Sequence, residues 1–349
     1  MRARGQAILN LLKRLQDANQ NVRWDRFMQA ALYDPELGYY SKNISGIGHR
    51  GDFTTFATLN DMLARTIAHW GCRERKKLSK RLPWLEAGSG DGSLAKAVLG
   101  STPLIRRFFT LFLLVEVSPV LRKLQQSKLR WHNARWFSSP LEAAKASPQG
   151  SLFFSNELVD AFPCRIFRRC ESGWEELFLK FSENGLGECF LPVGKNELPE
   201  SSVFDGEISK NRQPGQRVEV HESYKIWLEN FMPAWHGSML TIDYGGPPKK
   251  IYHRRPDGTL RAYWKQERFV GSECYARFGL QDLTADVNFQ DINKWMSQQG
   301  AELVWEGTLL EFTKYIFKKN LLPSEFQEAA EAFYVTWHRK GHALKPAFR

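Results

Sequence analysis

Two carboxylates and a run of glycines open the chemical reading. The segment LEAGSGDGSLAKAV sets Glu86 two residues ahead of Gly88, with Gly90 and Gly92 following. A buried strand, a glycine turn and a helix in succession let a ligand approach the backbone closely, with helix N–H groups beyond. About two dozen residues later, LFLLVEVSP ends a second apolar run in Glu116. A carboxylate there can accept both hydroxyls of a ribose, so the pair points to a nucleoside cofactor. A dinucleotide fingerprint needs glycine where Ser93 stands, and no P-loop motif occurs. An acid ahead of the glycines repels a pyrophosphate and suits the cationic amino-acid end of S-adenosyl-L-methionine. The turn therefore favours a methyl donor over a hydride donor.

A second constellation follows another buried run, in SNELVDAFP. Glu157 and Asp160 are three apart and on a helical turn would face the same side. Paired carboxylates can hold a guanidinium by charge-assisted hydrogen bonds, and alkylation then needs alignment more than strong base chemistry. They also keep a cationic acceptor beside a sulfonium that would otherwise repel it. The plainer alternative is that Glu157 meets the cofactor or caps a helix while Asp160 is structural. TIDYGG closes a further strand with Asp243 and Tyr244, either an acceptor-orienting pair or a turn aspartate beside a packed tyrosine. His338 and His342 are separated by Gly341 and lack a third ligand, and HExxH and a nucleophile elbow are absent, so no metal site is expected.

The elements that must position these residues follow from texture. LPWLEA, LFLLVEV, ARWFSS and SLFFSNE read as strands, with helices after the first two, which predicts a parallel, doubly wound sheet. CRIFRRCESGWEELFLKFSENGLGECFLPV reads as antiparallel strands joined at ESG and ENGLG, and SMLTIDYGG as a buried strand ending in a glycine turn. Residues 6–33 carry two helical patterns, a helix capped by Asn60 or Asp61 runs to about Trp70, and helices are expected from Asp291 to Gln299 and from Glu325 to Trp337. CRERKKLSKRL reads as a solvated connector.

Composition narrows the classes. Of 349 residues, 42% are hydrophobic and 25% charged, which is globular usage and rules out wholesale disorder. The longest apolar run, from Phe108 to Val115, is far short of the ~20 residues that span a bilayer. Forty-nine Lys and Arg against 38 Asp and Glu give a net charge of +11, which speaks to an anionic partner. Cys72, Cys164, Cys170, Cys189 and Cys274 are scattered without metal or disulfide spacing, which suits a reducing compartment. The basic, amphipathic start MRARGQAILNLLKRLQDA has the character of a transit peptide, but it meets Asp17 and runs into a helix pattern, so cleavage is not expected. PPKKIYHRRPDGTLRAYWKQERF mixes seven Lys and Arg with aromatics; nucleic acid is a less favoured partner for it.

The chain resembles the MidA family of class I S-adenosylmethionine-dependent methyltransferases. The resemblance rests on FMQAALYDPELGYYSKN, GDF at 51–53, LEAGSGDGSL, VEVSPVLRKLQQSKL, SNELVDAFP, TIDYGG, GTLRAY and GLQDLTADVNF, in family order from about residue 22 to about residue 310. It implies an α/β, Rossmann-like doubly wound sheet with a helical N-terminal region and an inserted accessory β/α region. The expected division is 1–81 (N-terminal helices and GDF loop), 82–163 (first part of the core), 164–237 (β-rich insertion) and 238–349 (remainder of the core). Cofactor contacts carry over to Asp52, Phe53, Glu86, Gly88, Gly90, Glu116, Val117, Ser118, Asn156 and Glu157, and acceptor chemistry to Glu157, Asp160, Asp243 and Tyr244. For one mitochondrial member the resemblance implies methylation of a protein arginine. TTFATLN after GDF lacks the acid and proline usual there, so contacts in that loop do not carry over.

The expected activity is methyl transfer from S-adenosyl-L-methionine to an arginine nitrogen on a protein with a neutral or acidic surface. The alternatives are a non-catalytic assembly factor that keeps the fold, or an RNA or small-molecule methyltransferase. The expected location is cytoplasmic, with the mitochondrial matrix as the alternative.

Overall fold

The computed structural model describes residues 2–44, 61–78, 81–103, 110–182, 185–205 and 213–341. The chain divides into two compact units, both discontinuous in sequence. One comprises Met1–Ser45, Val159–Lys225 and Pro247–Asp291; the other comprises Gly46–Leu158, Ile226–Gly246 and Ile292–Arg349.

The second unit is built on a mixed sheet with helices. Its strands are β1 (Trp84–Ala87), β2 (Phe112–Val115), β3 (Ala134–Phe137), β4 (Ser151–Asn156), β5 (Gly237–Gly246), β6 (Glu302–Thr308) and β7 (Phe333–Lys340), in the order β6-β7-β5-β4-β1-β2-β3. From β5 to β3 all neighbours run parallel, while β7 is antiparallel to both β5 and β6. The strand order reverses between β1 and β4, which opens a crevice at their carboxyl ends. Strands β1, β2 and β4 are buried along their whole length, as expected of a sheet covered on both faces.

Three helices of this unit matter below: α1 (Met62–Leu78), α2 (Ser93–Gly100) and α3 (Pro119–Lys128). Leu63, Ile67, Trp70 and Gly71 recur on the buried face of α1. There Trp70 meets Trp84, whose ring also packs against Phe112 and Phe154 at centroid distances of 6.4 and 5.8 Å. A Cβ on Gly71 would stand 2.0 Å from the Trp84 ring, so the glycine makes room for the indole inside the helix. Ser118 caps α3 by accepting from the Leu121 N–H, and Pro119 begins it.

The first unit is mainly antiparallel. Strands Asn21–Arg23, Gly173–Ser182, Arg165–Cys170 and Arg217–Val220 lie in that order, and Gly185–Val193 pairs with Gly173–Ser182. A second, three-stranded sheet comprises Glu267–Phe269, Arg261–Trp264 and Asp282–Thr284. Buried Arg261 donates to Asp286 at 2.6 Å, and Arg255 donates to the other oxygen of the same carboxylate. Part of the basic, aromatic GTLRAY segment thus belongs to the polar core of this unit.

Two expectations need correction. The helix expected from Glu325 to Trp337 ends at Ala332, and Phe333–Lys340 is strand β7. Its aromatic and β-branched FYVTWH run pairs with β5 and β6, and this pairing outweighs the helical spacing. CRERKK is no connector: α1 continues to Leu78, and the segment forms its last turns.

Helix propensity alone predicts that Gly71→Ala stabilises the protein by ~1 kcal/mol. The Trp84 contact reverses the sign: overpacking should leave the variant less stable by about 1–3 kcal/mol, read from urea unfolding midpoints. A variant more stable than the parent would show that the ring yields freely.

Candidate functional site

At the end of β1 the chain turns through Gly88, Gly90 and Gly92, at φ of 70°, 52° and 81°. Gly88 is the tightest position: a side chain would be strained by φ and would meet Leu158 Cδ1 at 2.7 Å. The turn is fixed from outside by Gln125, a fully buried residue of α3. Its amide nitrogen donates to the Gly90 carbonyl at 2.7 Å and to Glu116 Oε2 at 3.1 Å, while its oxygen accepts from the Trp136 indole. Glu116 Oε1 accepts from the Ser118 N–H at 2.8 Å. On the outer side of the turn Lys128 reaches Asp91 at 2.5 Å and Ser93 at 2.6 Å. Burial opposes ionisation of Asp91, but these bonds outweigh it and hold its carboxyl below the ordinary range.

Glu86 and Glu116 both shift the other way from Asp91. Burial, helped by the nearby charges of Glu116 and Asp91 and opposed by Ser89, pushes Glu86 up to about 8. Burial pushes Glu116 up to about 7 against its hydrogen bonds from Ser118 and Gln125. Asn156 Oδ1 is buried without a hydrogen-bond partner among the described residues, and Glu86 Oε2 has no partner there within 3.5 Å. Orphaned acceptors beside a left-handed glycine turn fit a ligand that brings hydroxyls and a cation, as S-adenosyl-L-methionine does. Val117, 65% exposed after Glu116, presents an apolar surface, whereas the Ser118 hydroxyl is committed to the α3 cap.

At the end of β4, Glu157 is not on a helical turn. Its φ is 50°, in the left-handed region that a glutamate rarely adopts, so the expected shared helical face with Asp160 does not form. Strand β5 holds this conformation in place. The Glu157 N–H donates to the Ile242 carbonyl at 3.0 Å, and the Leu158 N–H donates to Asp243 Oδ2 at 3.1 Å. Asp243 is fully buried and takes the Tyr244 N–H on its other oxygen. Tyr244 lays its ring on Phe333, centroids 4.1 Å apart. Glu157 Oε1 accepts from the Asn156 amide.

Glu86, Gly88, Gly90, Glu116, Val117, Ser118, Asn156, Glu157, Asp243 and Tyr244 therefore lie in one unit, at or just beyond the carboxyl ends of neighbouring strands. Asp160 is buried in the other unit. There burial works against the Arg261 charge, but Asp286 and, more weakly, Tyr263 and Asp160 outweigh it and hold it above its ordinary value. Asp52, Phe53 and the TTFATLN loop lie outside the described residues. Among the described residues no group of three or more His, Cys, Asp or Glu could hold a metal ion.

Comparison with known proteins bears on the family, the fold and the cofactor. Residues 62–307 match a family model described as "Putative S-adenosyl-L-methionine-dependent methyltransferase". Among curated relatives, the mitochondrial protein arginine methyltransferase NDUFAF7 of Danio rerio is 27% identical over 310 residues, covering 78% of this chain and 68% of that protein. Its Caenorhabditis elegans homologue is 25% identical over 294 residues, covering 75% of this chain and 65% of that protein. The chain thus spans about two thirds of the length of these relatives. A Burkholderia thailandensis protein crystallised with S-adenosyl-homocysteine shares the fold at a TM-score of 0.80 and 23% identity, over 97% of this chain and 93% of that one.

An acid held above its ordinary value takes up a proton on folding, so its contribution makes stability fall as pH rises towards about 8. Denaturant unfolding between about pH 5 and about pH 8 should show this slope, and Glu86→Gln should remove its larger part. An unchanged slope in the variant would place the titrating group elsewhere.

Proposed function

Since the chain belongs to this family of S-adenosyl-L-methionine-dependent methyltransferases, we propose that its acceptor is an arginine nitrogen on a protein partner. The observation that carries this reading is Glu157, held in a left-handed turn at the cofactor end of the sheet by Ile242 and Asp243. Backbone strain of this kind persists where the surroundings over-determine it, and here they aim a carboxylate. The two curated relatives, named as protein arginine methyltransferases, support the same acceptor.

In this reading Glu116 takes the cofactor's ribose, Glu86 faces its cationic end and Val117 forms an apolar wall. Bound S-adenosyl-L-methionine supplies a methyl group on an electrophilic sulfonium. The Glu157 carboxylate holds the acceptor guanidinium and offsets the repulsion between two cations. Asp243 is a positioning residue, since both its oxygens are spent on backbone N–H groups, and Tyr244 serves as an aromatic wall. Asp160 enters the proposal from its place in the SNELVDAFP segment. The +11 charge disfavours a Lys- and Arg-rich tail as substrate and favours an arginine on a neutral or acidic protein.

We place this activity in a reducing compartment. Five unpaired thiols suit the cytoplasm, and the relatives' mitochondrial naming supports the matrix as the alternative. No described helix is long and apolar enough to cross a membrane.

The test begins with lysate from a deletion strain, purified protein and labelled methyl donor, with mass spectrometry of the labelled band. Methyl on arginine is expected; methyl confined to another residue type, or to RNA, overturns the assignment. With that acceptor, Glu157→Gln and Asp160→Asn should each slow single-turnover transfer at least about a hundredfold, since breaking a buried charge pair costs ~3–5 kcal/mol. Asp160→Asn should leave cofactor affinity nearly intact. Transfer at the parental rate in either variant removes that residue from the acceptor site.

A further inference from the structure

The catalytic reading leaves the excess positive charge unexplained, and the structure shows where much of it sits. Helices α1, α2 and α3 together carry nine Lys and Arg and a single acid, Glu74. That acid is buried and held by Arg339 and Ser238, so it offsets nothing at the surface. Helix α2 touches both α1 and α3, which makes the three a continuous layer within their unit. Lys76, Lys77, Lys96, Lys123 and Arg130 are exposed and have no ion-pair partner among the described residues. Residues 117–141 contain five Lys and Arg and no acid at all.

Apolar surface lies within this charge. Val120 and Leu124, one turn apart on α3, are both exposed. Just past the helix end Trp131 stands 77% exposed, with the Arg130 guanidinium 5.1 Å above its ring. Like charges left facing one another destabilise a folded chain, and an exposed tryptophan adds apolar surface in contact with water.

We propose that this layer docks a protein surface rich in Asp and Glu that seats apolar side chains on the Val120–Leu124 stripe of α3 and, past the helix end, on Trp131. Tryptophan and arginine amid apolar neighbours, ringed by charge, is the make-up of a protein-binding hot spot. Single-stranded nucleic acid calls for a series of stacking aromatics, whereas on α3 and just past its end Trp131 is the one large aromatic exposed among the described residues. A membrane-surface helix needs a broad apolar face, whereas Lys123 interrupts Val120 and Leu124. The cations supply long-range attraction and a fast on-rate, and the Trp131 seat supplies residence time. The docking surface does not depend on the acceptor proposed above.

The test uses the full chain and a fluorescein-labelled peptide of repeated Glu-Asp-Leu-Phe units, read by anisotropy at several salt concentrations. The peptide should bind, with affinity falling as salt rises. Lys123→Glu with Arg130→Glu should weaken binding at least about tenfold, and Trp131→Ala should weaken it without changing the salt slope. Lys76→Ser with Lys77→Ser, on a different helix, should reduce the salt slope while Trp131 remains. Lys265→Glu, in the other unit, should change nothing, and melting temperatures should confirm that every variant is folded. Peptide binding indifferent to the helical-layer and Trp131 variants would overturn the proposal. So would tighter binding, through the same residues, to a uridine homopolymer or to phosphatidylcholine vesicles containing cardiolipin.

Discussion

One side-chain amide holds the cofactor end of the sheet together. Gln125 joins the Gly90 carbonyl, the Glu116 carboxylate and the Trp136 indole, and so couples the glycine turn after β1 to the ends of β2 and β3. Gln125 is itself fully buried, where an unmade hydrogen bond costs ~1–3 kcal/mol, so the amide can adopt few other arrangements. The turn cannot move without breaking this lattice, and Glu116 cannot swing away from the ribose position proposed for it.

The lattice makes sense of the charges. Two carboxylates buried at the ends of adjacent strands are costly unless something cationic arrives or a proton stays. Glu86 and Glu116 both respond by holding their protons more tightly, whereas Asp91, on the Lys128 side of the same turn, is ionised. A dinucleotide's pyrophosphate would make this arrangement worse. At the end of β4 strain replaces charge: Asp243 accepts the Leu158 and Tyr244 N–H groups and so helps to fix the turn at Glu157.

Much of this was readable in the residues, for physical reasons that differ from case to case. WLEA, FLLV and SLFFSN announce themselves because strands covered on both faces must be apolar throughout, and the acids that end the first two stand out against that background. Three of the segments that carry the family resemblance, LEAGSGDGSL, VEVSPVLRKLQQSKL and SNELVDAFP, overlap or follow the ends of these strands. Phe333–Lys340 reads as a helix because its strand character comes from its partners β5 and β6, both outside the local window, while its own spacing also fits a helix. Gln125 is invisible in sequence, since nothing about a glutamine on an amphipathic helix reveals partners on three different strand ends and turns. The Glu157–Asp160 spacing suggested a helix face, but the backbone of Glu157 is set by β5, which no local pattern encodes.

The claim on which the account stands is that Glu116 receives the hydroxyls of a nucleoside whose other end is cationic. Calorimetric titration of S-adenosyl-L-methionine into the parent protein and into Glu116→Ala tests it directly, with NAD as the competing ligand. Hydrogen bonds to a charged group contribute about 1.5–3 kcal/mol, so the variant should bind roughly 10- to 150-fold more weakly, and NAD should not bind measurably. Equal affinity in the two proteins, or a preference for NAD, would contradict it.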